Sequence, residues 1–210
     1  MRIGVIGAGW LGGTVGRAWV AAGHDVMLAT RHPDRLRASL RDVGPRVSAG
    51  TALEAARHGE AVLIAVPYRE LTGLAFELAD ELRDKVVLDA CNPYPPDPVE
   101  LRRRVFDAGV ALVSAGLFKN ARLVRAFSAV DAVSVEQSAG TESERLGVPI
   151  AGDDDGAIEV AARLVRDARC VPVLVGNLAE ARSFQRGGPG FRANTTATML
   201  RQILHLPQPS

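Results

Sequence analysis

Short apolar runs recur along the chain at residues 3–6, 25–29, 61–66 and 86–88, and again at 123–127, 148–151 and 171–175. Each is brief and mostly apolar, with Asp25 and Arg125 as charged exceptions, the pattern of a strand covered on both faces. Between them, residues 11–22, 33–40, 51–58 and 69–82 carry apolar positions at helical spacing. A helical stretch between strand-like runs predicts crossovers joining parallel strands. The expected fold class is therefore α/β: a Rossmann-type, doubly wound, mostly parallel sheet with helices on both faces and a short C-terminal helical segment. Residues 1–182 read as that domain with an extended sheet. Residues 183–210 read as a loop, with Gly187-Gly188-Pro189-Gly190 in it, and a last helix near 193–204 that packs on the domain or on a second subunit.

Composition narrows the function classes. The chain has 210 residues, 47% of them hydrophobic, enough for a core without staples. A net charge of +1 gives no field that gathers nucleic acid or an acidic membrane. Two cysteines, Cys91 and Cys170, are too few for a disulfide framework or a zinc cluster. The N-terminal apolar run is too short for a signal peptide, and no apolar stretch is long enough to cross a bilayer. A soluble, cytoplasmic protein is the expectation. Asp153-Asp154-Asp155 precede a helical stretch and read as a cap, since carboxylates suit free N–H groups and the helix dipole; no metal site is expected.

The candidate chemistry begins at the N-terminus. Gly7-Ala8-Gly9-Trp10-Leu11-Gly12 fits G-x-G-x-x-G and lies between a strand-like run and a helical one. In that setting Gly7 permits the turn, Gly9 lets backbone approach a pyrophosphate, and Gly12 lets the helix lie close on the sheet. The helix N-terminus then offers N–H groups to phosphate. Trp10 is bulky for such a loop and either covers a bound dinucleotide or packs beside it.

The next strand end decides between two dinucleotides. An NAD site presents Asp or Glu there to the ribose 2′-hydroxyl. Here Thr30-Arg31-His32-Pro33-Asp34-Arg35 follows, with no carboxylate at the strand end. A hydroxyl and two guanidiniums suit a 2′-phosphate, so NADP(H) is the expected cofactor. Asp34, after a proline, reads as the opening of a helix.

Two later strand ends face the nicotinamide side. One carries Val66-Pro67, the other Asp89-Ala90-Cys91-Asn92-Pro93. Prolines stop the strands, and Asn92 offers an amide to a carboxamide or ribose, or simply shapes an Asn-Pro turn. Cys91 reads as a small apolar residue, because no histidine lies near it in sequence. Lys119-Asn120 reads as an exposed turn. No acid/base pair stands out, so no catalytic side chain is assigned. That absence suits hydride transfer to a flavin-like ring, where stacking and alignment dominate.

Taken in order, these motifs resemble the NADPH-dependent oxidoreductases of the deazaflavin coenzyme F420. The resemblance spans about residues 1–182. It continues through Val124-Arg125-Ala126-Phe127, Pro149-Ile150-Ala151-Gly152-Asp153-Asp154 and Gly176-Asn177-Leu178-Ala179-Glu180-Ala181-Arg182. It implies hydride passed between NADPH and a deazaflavin stacked on the nicotinamide, without a metal or covalent intermediate. Thr30, Arg31 and Arg35 would hold the 2′-phosphate, and Val66, Pro67, Asn92 and Pro93 would line the nicotinamide pocket. A homodimer is a family-based expectation; the apolar positions of the last helix serve an intrachain contact equally. Ser128-Ala129 stands where the wider family often has Asn-Thr, and Asn177 where it often has proline. Both departures fall on the side of the small-molecule acceptor.

Three other readings compete, one of them a flavin or ferric reductase that uses the same cradle. Pyrroline-carboxylate reductases and β-hydroxyacid dehydrogenases add a helical domain after the Rossmann unit, whereas residues 148–175 return to strand, helix, strand. A non-catalytic NADP(H)-binding sensor is the alternative of another class. A pocket beside the nicotinamide, near Ser128 and residues 187–190 and wide enough for a tricyclic ring, separates an enzyme from such a sensor.

Overall fold

Valine, isoleucine, leucine and alanine fill both faces of the central strands, so those strands can only lie inside a covered sheet. The computed structural model describes residues 1–40 and 44–208. The elements begin β1 (Arg2–Ile6), α1 (Trp10–Ala21), β2 (Asp25–Ala29), α2 (Pro33–Ser39), β3 (Val47–Gly50), α3 (Ala52–His58) and β4 (Ala61–Ile64). They continue with α4 (Leu71–Glu77), β5 (Val86–Asp89), α5 (Val99–Ala108), α6 (Val110–Leu117), β6 (Arg122–Arg125) and α7 (Ala132–Gln137). The last are β7 (Gly147–Gly152), α8 (Asp155–Asp167), β8 (Val171–Gly176) and α9 (Ala197–Ile203).

Among the described residues eight strands make one sheet in the order β3-β2-β1-β4-β5-β6-β7-β8. The first six positions repeat the doubly wound order, with its switch point between β1 and β4. β6 and β7 pair antiparallel, while β7 and β8 are parallel to each other. Alternation fixes the two cores. Ile3, Val5, Ala61, Leu63, Val86 and Leu88 face one layer with Trp19, Phe127 and Leu164. Ile6, Val62, Ile64 and Val87 face the other with Ala55, Leu71, Val105 and Phe184. The Trp19 indole donates to the Leu164 carbonyl at 2.7 Å, and its ring meets Phe127 edge-on at 6.1 Å, joining α1 to α8 and to the end of β6.

The elements differ from the sequence pattern where chemistry is weak. β3, Val-Ser-Ala-Gly, is an edge strand with little apolar content. The helical stretch at 69–82 splits into a tight turn, Tyr68–Glu70, and the shorter α4. Two unforeseen helices, α5 and α6, fill residues between β5 and β6. The final helix starts at Ala197, capped by the Thr196 hydroxyl, and packs on β7 and β8 with Leu200 buried. The acidic triplet is spent internally: Asp154 caps α8 through the Ala157 N–H at 2.7 Å and pairs with Arg122, while Asp153 accepts the Leu178 N–H at 2.9 Å. Among the described residues no helix is long and apolar enough to cross a membrane.

Candidate active site

The glycine loop joins β1 to α1. Gly7 has φ +106°, and a Cβ there would stand 2.2 Å from the Ala65 carbonyl oxygen. The Gly7 and Ala8 N–H groups donate to the Ala29 carbonyl at 3.2 and 3.1 Å, which ties the loop to the end of β2. A Cβ on Gly12 would stand 2.1 Å from the Gly7 oxygen, so α1 packs against its own loop. Gly9 is different: nothing lies within 4 Å of the position a Cβ would take. Packing does not require glycine there, but a phosphate approaching the backbone does. No side chain caps α1 and no acidic residue occupies its first turn, so its N–H groups remain available to an anion.

At the end of β2 the Thr30 N–H donates to the Gly50 carbonyl at 3.2 Å, and the Thr30 hydroxyl accepts the His32 N–H at 3.4 Å. Arg31 and Arg35 are exposed. Among the described residues neither is paired with a carboxylate. Asp34, the nearby acid, is engaged by Arg37 at 2.5 Å. The arrangement is a basic site with its own carboxylate turned to another partner, as a 2′-phosphate would need.

A cleft of about 550 Å³ opens at the carboxyl ends of β4, β5 and β6. Trp10 and Leu11, from the first turn of α1, form part of its wall, so the glycine loop and the cleft are continuous. Val66, Pro67 and Asn92 line it as well. Pro93 is buried behind them. Trp10 is 69% exposed, standing at the cleft rather than packed into the core. Lys119 and Asn120 belong to a different groove, beside Phe76 and Leu117, before β6 begins.

A buried polar network underlies the cleft. Asp89 and Arg125 are each 1% exposed and pair at 2.6 Å. Asp89 also accepts the Cys91 N–H at 2.9 Å. Arg125 donates to the Asn92 side-chain oxygen at 2.7 Å, and the Asn92 amide donates to the Ser128 carbonyl at 2.7 Å. Each end of the Asn92 amide thus has a protein partner and keeps one further hydrogen-bonding position. Burial, then the neighbouring Asp89 carboxylate, push the Cys91 thiol well above its ordinary range, and its sulfur lies 3.4 Å from the Ile64 carbonyl oxygen. Such a thiol is no nucleophile.

Sequence reasoning missed most of the far wall. Phe127 (φ 57°) turns the chain after β6 and brings Ser128, Val130 and Asp131 to the cleft. Ser128 is 5% exposed, and among the described residues its hydroxyl has no hydrogen-bond partner. Asp131 pairs with Arg192 from the C-terminal segment. Tyr94 and Asp97 complete the rim. Asp97 accepts the Tyr94 N–H at 3.1 Å and pairs with Arg69 at 3.1 Å. The Pro-rich stretch after Asn92 was the one signal that a rigid loop stood here.

Comparison with known proteins bears on this geometry. Residues 2–93, from β1 to the loop after β5, match the family described as NADP oxidoreductase, coenzyme F420-dependent. Over that span the chain is similar to this family. The matched segment contains the glycine loop, Thr30, Arg31 and Arg35, and one wall of the cleft. Metalloreductase STEAP3 of Rattus norvegicus is 26% identical over 184 residues, 88% of this chain; the chain spans 36% of that protein's length. A hypothetical protein from Sinorhizobium meliloti superposes with a TM-score of 0.74 at 23% identity, covering 94% of this chain and 93% of the other. An Arthrobacter protein described as a candidate F420-dependent NADP-reductase gives 0.67 at 23% identity, with 87% and 88% covered. The 3-hydroxyisobutyrate dehydrogenase of Mycobacterium tuberculosis gives 0.63 at 15% identity, but only 56% of that chain is covered. These structural likenesses are likenesses of fold.

Proposed function

We propose that the chain is an NADP(H)-dependent oxidoreductase that passes hydride between NADPH and a flavin-like or deazaflavin acceptor. The observation that carries this reading is the continuity of an open phosphate cradle with a cleft that holds an unpartnered hydroxyl. Gly9 and the uncapped start of α1 receive the pyrophosphate, with Ala8, Trp10, Leu11 and Gly12 forming the rest of the loop. Thr30, Arg31 and Arg35 take the 2′-phosphate. Val66, Pro67 and Asn92 hold the nicotinamide over the ends of β4 and β5, with Pro93 buried behind them. The reduced nicotinamide, when bound, supplies a hydride to the acceptor beside it. The protein's part is to align two planar rings and exclude water between them.

A buried hydroxyl left without a partner costs free energy, about 1–3 kcal/mol. At Ser128 a polar ligand in the cleft removes that cost. The cleft beside Ser128 is open and within the size range of pockets that hold drug-sized ligands, which favours an enzyme over a closed sensor. The glycines at 187–190 stand outside its lining, and Arg192 takes the place expected for them. Assembly as a homodimer through residues 183–210 belongs to the same proposal: Met199 of α9 and Leu174 of the edge strand β8 stay about half exposed.

Purified protein mixed with NADPH, with a deazaflavin, FMN or no acceptor in parallel, tests the reading. Turnover with the deazaflavin alone supports the narrow form, and turnover with FMN the broader one. Tight NADPH binding with no turnover on either acceptor removes the enzymatic reading and leaves a binding protein.

A further inference from the structure

We propose that Tyr94 supplies the proton that completes reduction of the acceptor, a role that rests on the hydride-transfer reading above. A ring that accepts hydride gains a C–H bond in a deazaflavin or an N–H bond in a flavin, and an electron pair moves to another ring heteroatom. That atom then needs a proton. Overall one NADPH is oxidised, one acceptor is reduced, and one proton is consumed.

The other polar groups of the cleft do not release one. Arg69 and Arg192 keep their protons at any working pH. Their partners Asp97 and Asp131 are carboxylates held in ion pairs, acceptors only. The Cys91 thiol is buried against the Ile64 carbonyl. The Asn92 amide and the Ser128 hydroxyl can hydrogen-bond a ligand but are too weakly acidic to protonate one. Tyr94 lines the same cleft, and among the described residues no protein group takes its hydroxyl.

Around Tyr94, three guanidiniums offset part of the cost of a phenolate. The Tyr94 backbone N–H is anchored on Asp97, and the ring lies 6.5 Å from that of Phe191. The Arg186 guanidinium stands over the ring, 5.2 Å from its centroid. Arg192, Arg186 and Arg125 all favour the ionised phenol, while burial, the strongest influence, and the Asp131 carboxylate oppose it. Burial prevails, so the phenol stays above the ordinary tyrosine range and carries its proton at neutral pH. The O–H bond breaks as the acceptor heteroatom takes the proton, and water reaching the partly buried residue restores it.

Tyr94→Phe keeps the ring and removes the proton. The variant is expected to slow NADPH oxidation by FMN or deazaflavin about 10²-fold or more, the scale of general acid catalysis. NADPH affinity, read by tryptophan fluorescence, should be unchanged. A second reading needs no turnover: the absorption band of the oxidised acceptor should shift on binding to the NADP⁺-loaded protein, and the variant should lose that shift. A rate close to that of the unaltered protein overturns the proposal, as does a raised KM with kcat kept or a shift that survives the substitution. If the unaltered protein binds NADPH yet reduces neither acceptor, the hydride-transfer reading fails first and the proton donor falls with it.

Discussion

At Gly9 an added methyl group would meet nothing within 4 Å, whereas at Gly12 it would stand 2.1 Å from the Gly7 carbonyl oxygen. The two glycines of one motif therefore answer to different forces, ligand and packing. Gly9→Ala is expected to cost at most about 1 kcal/mol, the difference between a fair and a poor helix cap. It should weaken NADPH at least tenfold, since the methyl group fills the path of the pyrophosphate (roughly 1.4 kcal/mol). Gly12→Ala should be far more damaging to folding, because backbone has to move. Thermal unfolding beside an NADPH titration separates the two, and equal loss of stability would contradict the assignment. At the ribose end, Arg31→Ala removes a charge-assisted contact worth about 1.5–3 kcal/mol. NADPH affinity should fall roughly ten- to a hundredfold while NADH affinity hardly moves. A parallel loss for both cofactors would place Arg31 away from the 2′-phosphate.

Between elements, the Asp89–Arg125 pair joins β5 to β6 directly beneath the cleft, and Asn92 is oriented from it. Removing one partner leaves a buried charge unopposed, so Asp89→Asn should lose about 3–5 kcal/mol in urea unfolding. The double variant Asp89→Leu with Arg125→Met should recover much of that stability but not the position of Asn92. A single variant as stable as the original would show that the pair is not as dry as the structure has it. This network was illegible in the sequence, because an aspartate at one strand end and an arginine 36 positions later carry no mark of their meeting. β1, β2, β4 and β5 were legible for the opposite reason: burial on both faces writes itself as consecutive apolar residues. β3 left no such trace as an edge strand of Val47, Ser48, Ala49 and Gly50. The phosphate loop was readable because its parts are neighbours in the chain. The far wall of the cleft was not, because Tyr94, Ser128, Asp131 and Arg192 are brought together only by folding. Ser128 stood out in sequence as a departure from the family pattern on the acceptor side, with nothing to say that its hydroxyl would be buried and unpartnered.

Over the whole molecule, three buried acids respond to pH in the same direction. Burial pushes Tyr68 up to about 12 and Cys170 up to about 11, and raises Cys91 well above its ordinary value. Each binds its proton more tightly folded than unfolded. Stability from this source is complete below the unfolded thiol range and is lost as pH climbs from there through the folded values. The denaturant midpoint should thus fall progressively from about pH 8.5 upward. Cys91→Ala and Cys170→Ala together should flatten the lower part of that decline, and an unchanged slope would mean that neither thiol is buried in solution.

The division of the cleft between two stretches of chain reaches beyond this one molecule. Everything assigned to the dinucleotide lies in residues 2–93, and the opposing wall is drawn from Tyr94 onward. Selection thereby holds two separate handles. A lineage can keep its source of electrons and exchange their destination by rewriting the turn after β6 and the segment that carries Arg192, with the dinucleotide half of the site left untouched.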